Sequence, residues 1–143
     1  SSIQTISNAM DVGDPSNRPR LEWLYNGSVL DMQRNFSVVS VDEEATKQTM
    51  QLIKNETDML VCPHTAVGIH AAHRKQEQQS TNHCTVVLAT AHAAKFGAVV
   101  KAATGHAPIV PDALQSCLTE PKVVVALPAA YEAFKSYLMD SNH

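Results

Sequence analysis

The apolar positions change period along the chain, and the sharpest change falls near its middle. Residues 84–89 (CTVVLA) are apolar, carry β-branched Thr85, Val86 and Val87, and contain neither Gly nor Pro. That is the pattern of a strand buried on both faces. From Ala94 the spacing turns helical, with Phe96, Val99, Val100 and Ala103 on one face and a stop at Thr104-Gly105. Between the two lies the polar turn Thr90-Ala91-His92, at the carboxyl end of the expected strand, where open α/β sheets bind ligands. A Thr hydroxyl can donate and accept a hydrogen bond there, and a His can carry a proton. The plainer reading makes Thr90 the cap of the next helix and His92 an exposed loop residue.

The same reading applied along the chain predicts a helix over about 16–34, weakened at Asn26-Gly27, with Asp14 as its cap and Leu21, Leu24, Tyr25 and Leu30 forming its apolar stripe. Asp42 starts a strong helix with Glu43 and Glu44 in its first turn, Ala45, Thr49, Leu52 and Ile53 inward, and an end within 55–58. Pro63 starts another, with Val67, His70 and Ala71 on one face and small residues that permit close approach. Residues 76–82 read as a polar surface connection. Short helices are expected over 111–117 and 129–139, the second anchored by Phe134, Tyr137 and Leu138. Residues 4–7, 38–41, 59–62 and 122–126 are further strand candidates. Short strands alternating with helices predict an α/β fold with short, mostly parallel strands.

Composition narrows the function classes. The 143 residues suffice for one domain, 44% are hydrophobic and 17% charged, and the formal charge is −3. No basic cluster beyond Arg74-Lys75 favours a nucleic-acid partner. No apolar run approaches a membrane span, and no signal peptide is visible, so a cytoplasmic location is expected. Cys62, Cys84 and Cys117 form no C-x-x-C pair and read as buried, reduced thiols. Seven His raise the question of a metal, but no Glu or Asp stands at the spacing of the common zinc helices, and none is expected. Trp23 and Phe134 read as core or interface anchors.

Three stretches in register carry a family likeness: residues 7–17 (SNAMDVGDPSN), residues 63–68 (PHTAVG) and residues 90–96 (TAHAAKF), with the acidic helix start VDEEATKQTM between them. Their order and spacing resemble the carboxy-terminal third of bacterial-type threonine synthase, over essentially the whole chain. The resemblance implies a fold-type II enzyme that uses pyridoxal 5'-phosphate and converts O-phosphohomoserine and water to threonine and phosphate. It implies that residues 1–143 are one segment of the large catalytic domain. It makes Thr90 the hydroxyl set against the pyridine nitrogen, and Asp11, Ser16, Asn17, His64 and His92 residues that line the cleft. Helix capping is the alternative role for Asp11, Ser16 and Asn17, and a backbone-satisfied ring the alternative for His64.

Two positions depart from the family pattern. Cys62 stands where an acidic residue usually precedes Pro-His, removing a possible helix cap, and Ala93 stands where Pro usually stiffens the turn. The family's Schiff-base lysine motif, Ser-Phe-Lys, and its Gly-rich phosphate loop do not occur in these residues. The chain thus reads as part of an enzyme, inactive alone, whose partner is the remainder of the same polypeptide. A free-standing α/β domain that binds or senses a small molecule is the competing class, and a structural docking domain a third.

Overall fold

A computed structural model describes residues 3–7, 12–78 and 84–140. They form seven α-helices and one 3-10 turn, and no strand occurs among the described residues. The chain divides into two compact units, Ser1–Ile109 and Val110–His143.

The first unit begins with two short helices, α1 (Arg18–Leu24) and α2 (Val29–Asn35). The break between them falls where Asn26 and Gly27 take positive φ of 48° and 70°. Pro19 sits in the first turn of α1, where its missing N–H costs nothing. Asp14 is not the cap; Asn17 holds that position, and its side chain makes no capping bond. The Ser28 hydroxyl caps α2 by accepting from the Asp31 amide.

The core is made by three later helices, α3 (Glu43–Thr57), α4 (Pro63–Gln78) and α5 (Gly97–Thr104), with α3 packed on both others. Asp42 caps α3, its carboxylate accepting from the Ala45 amide at 2.8 Å, a contact worth about 1 kcal/mol. Asp58 ends it in the left-handed region, at φ 62°. Met50, Ala66, Ala93 and Val100 form the buried cluster, with Leu60, Val61, Phe96 and Ala103 packed against it. Thr46 and Thr49 are buried too, because each hydroxyl donates back to a carbonyl one turn earlier, that of the cap Asp42 at 2.7 Å and that of Ala45 at 2.8 Å. A hydroxyl satisfied in this way can enter an apolar core. Leu52, expected inward, is exposed. Helix α4 runs on to Gln78, past the expected start of the surface connection.

The α/β architecture with parallel strands is overturned. Residues 38–41, 84–89 and 122–126 carry no regular secondary structure, and none makes a backbone hydrogen bond with another of these segments among the described residues. Residues 4–7 and 59–62 form no strand either. β-branched side chains favour extended backbone, but only a ladder of hydrogen bonds makes a strand. The doubly buried strand expected at 84–89 is mostly exposed, with Val86 at 80% and Leu88 at 77%. The packing that does form is helix on helix.

The second unit holds α6 (Asp112–Thr119) and α7 (Tyr131–Met139). Neither buries a residue, and Phe134 and Leu138 are exposed rather than anchored. Trp23 in the first unit is exposed as well, so it is no core residue here. Of the cysteines only Cys62 is buried; Cys84 and Cys117 are exposed, against the expectation for all three. Among the described residues no helix is long and apolar enough to cross a membrane, and no cluster of His, Cys, Asp or Glu is arranged to hold a metal ion.

Candidate functional site

The amino end of α4 and the turn after residue 90 meet in the first unit. The sulfur of Cys62 stands at the helix cap. It accepts from the Thr65 amide at 3.5 Å and lies 3.2 Å from the Thr65 hydroxyl, while the Cys62 carbonyl accepts the first helical bond from Ala66. The cap expected to be lost with the acidic residue is therefore filled by a weaker sulfur acceptor, buried with Pro63 and Thr65.

His64 follows in the first turn of α4. Its ring lies 4.9 Å from that of Phe96, tilted by 54°. Its Nδ1 is shielded from solvent and meets no partner among the described residues, so the backbone-satisfied ring is not what forms. Leaving such a nitrogen unpaired costs about 1–3 kcal/mol.

Phe96 closes the 3-10 turn Ala93–Phe96, which His92 caps. His92 Nδ1 accepts from the Ala94 amide at 3.1 Å. The neutral ring therefore carries its proton on Nε2, and that edge is exposed as a donor. His92, not Thr90, is thus the cap, and the cap's second nitrogen remains available. It also holds the turn that lacks the family's Pro at Ala93, a residue that is itself buried. Thr90 is exposed at the end of the stretch 84–90, and its hydroxyl makes no hydrogen bond among the described residues. Lys95, on the same turn, is exposed.

The structure therefore brings His64 to the turn that carries Thr90 and His92, with Phe96 as the link. Ser16 and Asn17 are exposed just before α1, and no hydrogen bond joins their side chains to that turn. Asp11 lies outside the described residues. The sequence pattern marks Phe96 only as a helix-face residue; its place against His64 depends on two segments far apart in the chain, and no local pattern signals it.

Comparison with known proteins supplies the rest. Residues 65–138 match the family model "Threonine synthase, C-terminal". The threonine synthase of Escherichia coli K12 is 34% identical over 139 residues, which are 97% of this chain and 31% of that protein. The crystal structure of threonine synthase from Escherichia coli matches with a TM-score of 0.70 and 32% identity, over 98% of this chain and 32% of that one. The PLP-bound threonine synthase of Brucella melitensis matches with a TM-score of 0.67 and 26% identity, over 96% of this chain and 34% of that one. The chain spans about a third of the length of the relatives it matches.

Proposed function

Since the chain belongs to the threonine synthase family, we propose that it is the carboxy-terminal segment of that enzyme's large catalytic domain, working with the remainder of the polypeptide. The reaction assigned is the conversion of O-phosphohomoserine and water to threonine and phosphate, in the cytoplasm. Pyridoxal 5'-phosphate, when bound, supplies the electron sink for this chemistry.

The observation that carries the reading is the state of Thr90. Its hydroxyl is exposed and unengaged among the described residues, beside a turn held by the His92 cap and the His64–Phe96 contact. A neutral hydroxyl can meet the pyridine nitrogen of the cofactor and, unlike a carboxylate, does not hold that nitrogen protonated. This fits one contact to the ring. Nothing in these residues fits the lysine motif or the Gly-rich phosphate loop, so the grip on the cofactor comes from elsewhere in the enzyme. His92 presents an Nε2–H donor toward solvent from the same turn, suited to an anionic group of the substrate. His64 stabilises the turn from behind through Phe96. Ser16, Asn17 and Asp11 are assigned to the rim of the same cleft, on the resemblance of residues 7–17 to the family.

The direct test is to produce the polypeptide in which the family's remaining length precedes these residues, and to assay phosphate release from O-phosphohomoserine with added cofactor. Release of phosphate with stoichiometric threonine is the expected result. A folded, cofactor-loaded protein that releases none overturns the assignment.

A further inference from the structure

The corner between α1 and α2 is built on Asn26 and Gly27. Both have positive φ, 48° and 70°, and the Ser28 amide donates to the Tyr25 carbonyl across them at 2.9 Å. Two successive positive φ values mark a type I′ turn, for which Asn-Gly is a favoured pair. The same two residues close α1. The Asn26 amide donates to the Trp23 carbonyl at 3.3 Å and the Gly27 amide to the Glu22 carbonyl at 2.8 Å, the paired bonds of a Schellman end. Across the corner the rings of Tyr25 and Phe36 meet edge to face, 5.5 Å apart. The contact therefore joins the end of α1 to the end of α2.

The corner also carries a reactive pair of groups. Asn26 is exposed, and its side-chain amide makes no hydrogen bond among the described residues. Gly27 has no Cβ, and nothing lies within 4 Å of where one would stand, so its nitrogen can be approached closely. The other described asparagines lack this combination. Asn17 and Asn55 precede the bulky Arg18 and Glu56, and the Asn35 side chain donates to the Asp31 carbonyl at 2.9 Å. One bond protects Asn26, that from the Gly27 amide to Glu22. It sits at the end of a seven-residue helix that buries no residue, so it opens at little cost.

We propose that Asn26 is a site of spontaneous covalent modification, in which its side-chain amide becomes an aspartyl or isoaspartyl carboxylate and the corner comes undone. The Gly27 nitrogen attacks Cγ of Asn26. The new N–Cγ bond forms as the Cγ–Nδ2 bond breaks, and the Gly27 proton leaves with the ammonia. Water then opens the resulting five-membered imide. Breaking its Cγ–N bond gives aspartate; breaking the bond from the main-chain carbonyl carbon to that nitrogen gives isoaspartate. Water is the only co-reactant, and nothing is oxidised or reduced. Either product places a negative charge at the carboxyl end of α1, where the helix dipole disfavours it. The isoaspartyl form also lengthens the main chain by one atom, so the turn and the Schellman bonds no longer close together. The contact between Tyr25 and Phe36 is lost with them. None of this depends on the enzymatic reading of the chain.

Peptide mapping by mass spectrometry tests it, on the 143-residue chain held at neutral pH and physiological temperature beside a synthetic peptide of residues 20–34. Isoaspartate is read by enzymatic methylation with labelled S-adenosylmethionine. Asn26 is expected to convert within about tenfold of the peptide's rate, because the end of α1 opens so easily. Asn17, Asn35 and Asn55 should stay intact over the same time. The Phe36 ring proton shifts should move in step with the conversion. In Asn26→Gly, which suits the positive φ and has no amide to react, they should stay fixed. An intact Asn26 after the peptide has converted overturns the proposal, as does equal conversion at the other three asparagines. Phe36 shifts that drift equally in Asn26→Gly overturn it too, because the change is then not caused at Asn26.

Discussion

His64 and Phe96 lie ring to ring at 4.9 Å, and this contact joins the amino end of α4 to the turn bearing Thr90 and His92. Thirty-two positions of chain separate them, and the shielded Nδ1 of His64 makes the contact a dry one.

Phe96→Ala is expected to destabilise the first unit by about 2 kcal/mol, below the usual loss for a fully buried ring because Phe96 is only half-buried. Phe96→Leu should cost less. The melting temperature measures the first effect, and the His64 imidazole proton shifts, which feel the Phe96 ring, measure the contact. Unmoved His64 shifts in Phe96→Ala refute it.

In the longer enzyme, Thr90→Val should preserve melting and slow turnover. The side chain is exposed, so no packing is lost. A hydrogen bond lost from a closed site costs about 1–3 kcal/mol, or about one to two decades in rate if felt in the transition state. Thr90→Ser should retain most activity because it keeps the hydroxyl. Wild-type turnover by Thr90→Val at saturating cofactor would end the assignment of Thr90 to the cofactor ring.

The 143-residue chain by itself should bind pyridoxal phosphate weakly and yield no single lysine fixed to it by borohydride. The family's Ser-Phe-Lys motif and Gly-rich loop do not occur in these residues, and Lys95 stands exposed on a surface turn. Visible absorption followed by peptide mapping decides the matter; one stoichiometrically reduced lysine contradicts it.

Thr49 has one hydroxyl proton and gives it to the Ala45 carbonyl at 2.8 Å, so the 3.3 Å contact with His70 Nδ1 needs the proton of His70. The neutral His70 ring should therefore carry its proton on Nδ1, the opposite of His92. Nitrogen-15 shifts of the two neutral rings distinguish the tautomers. Thr49→Val, which keeps the shape, should cost about 1 kcal/mol.

Lys54 pairs with Asp58 one turn on, and its hydrogen bond and charge hold the Asp58 carboxyl below its usual range, with a smaller push from His106. A depressed carboxyl pKa stabilises the fold above the unfolded-state value and loses that contribution as pH falls through the folded-state value. Asp58 is fully exposed, so the effect on stability is small, and the titration itself is the readout. An NMR midpoint for Asp58 below that of a free aspartate is expected, rising in Lys54→Met. An unchanged midpoint in that variant would show that the pair does not act.

Local chemistry makes much of this protein legible from its sequence. The Asp42 cap with its acidic first turn, the Pro63 start, the Gly105 stop at φ 77° and the break at Asn26-Gly27 each depend on a few adjacent residues, and each stands where the sequence puts it. The three stretches that identify the family are equally local in character. Tertiary structure decided what depends on partners distant in the chain. Residues 84–89 have the composition of a buried strand, but a strand also needs a neighbour at hydrogen-bonding distance, and no described residue supplies one. Thr46 and Thr49 enter the core because their hydroxyls find carbonyls on their own helix and its cap, which a hydrophobic pattern does not register. His64 meets Phe96 only because α4 and the turn before α5 are brought together, and no spacing within either segment encodes that meeting.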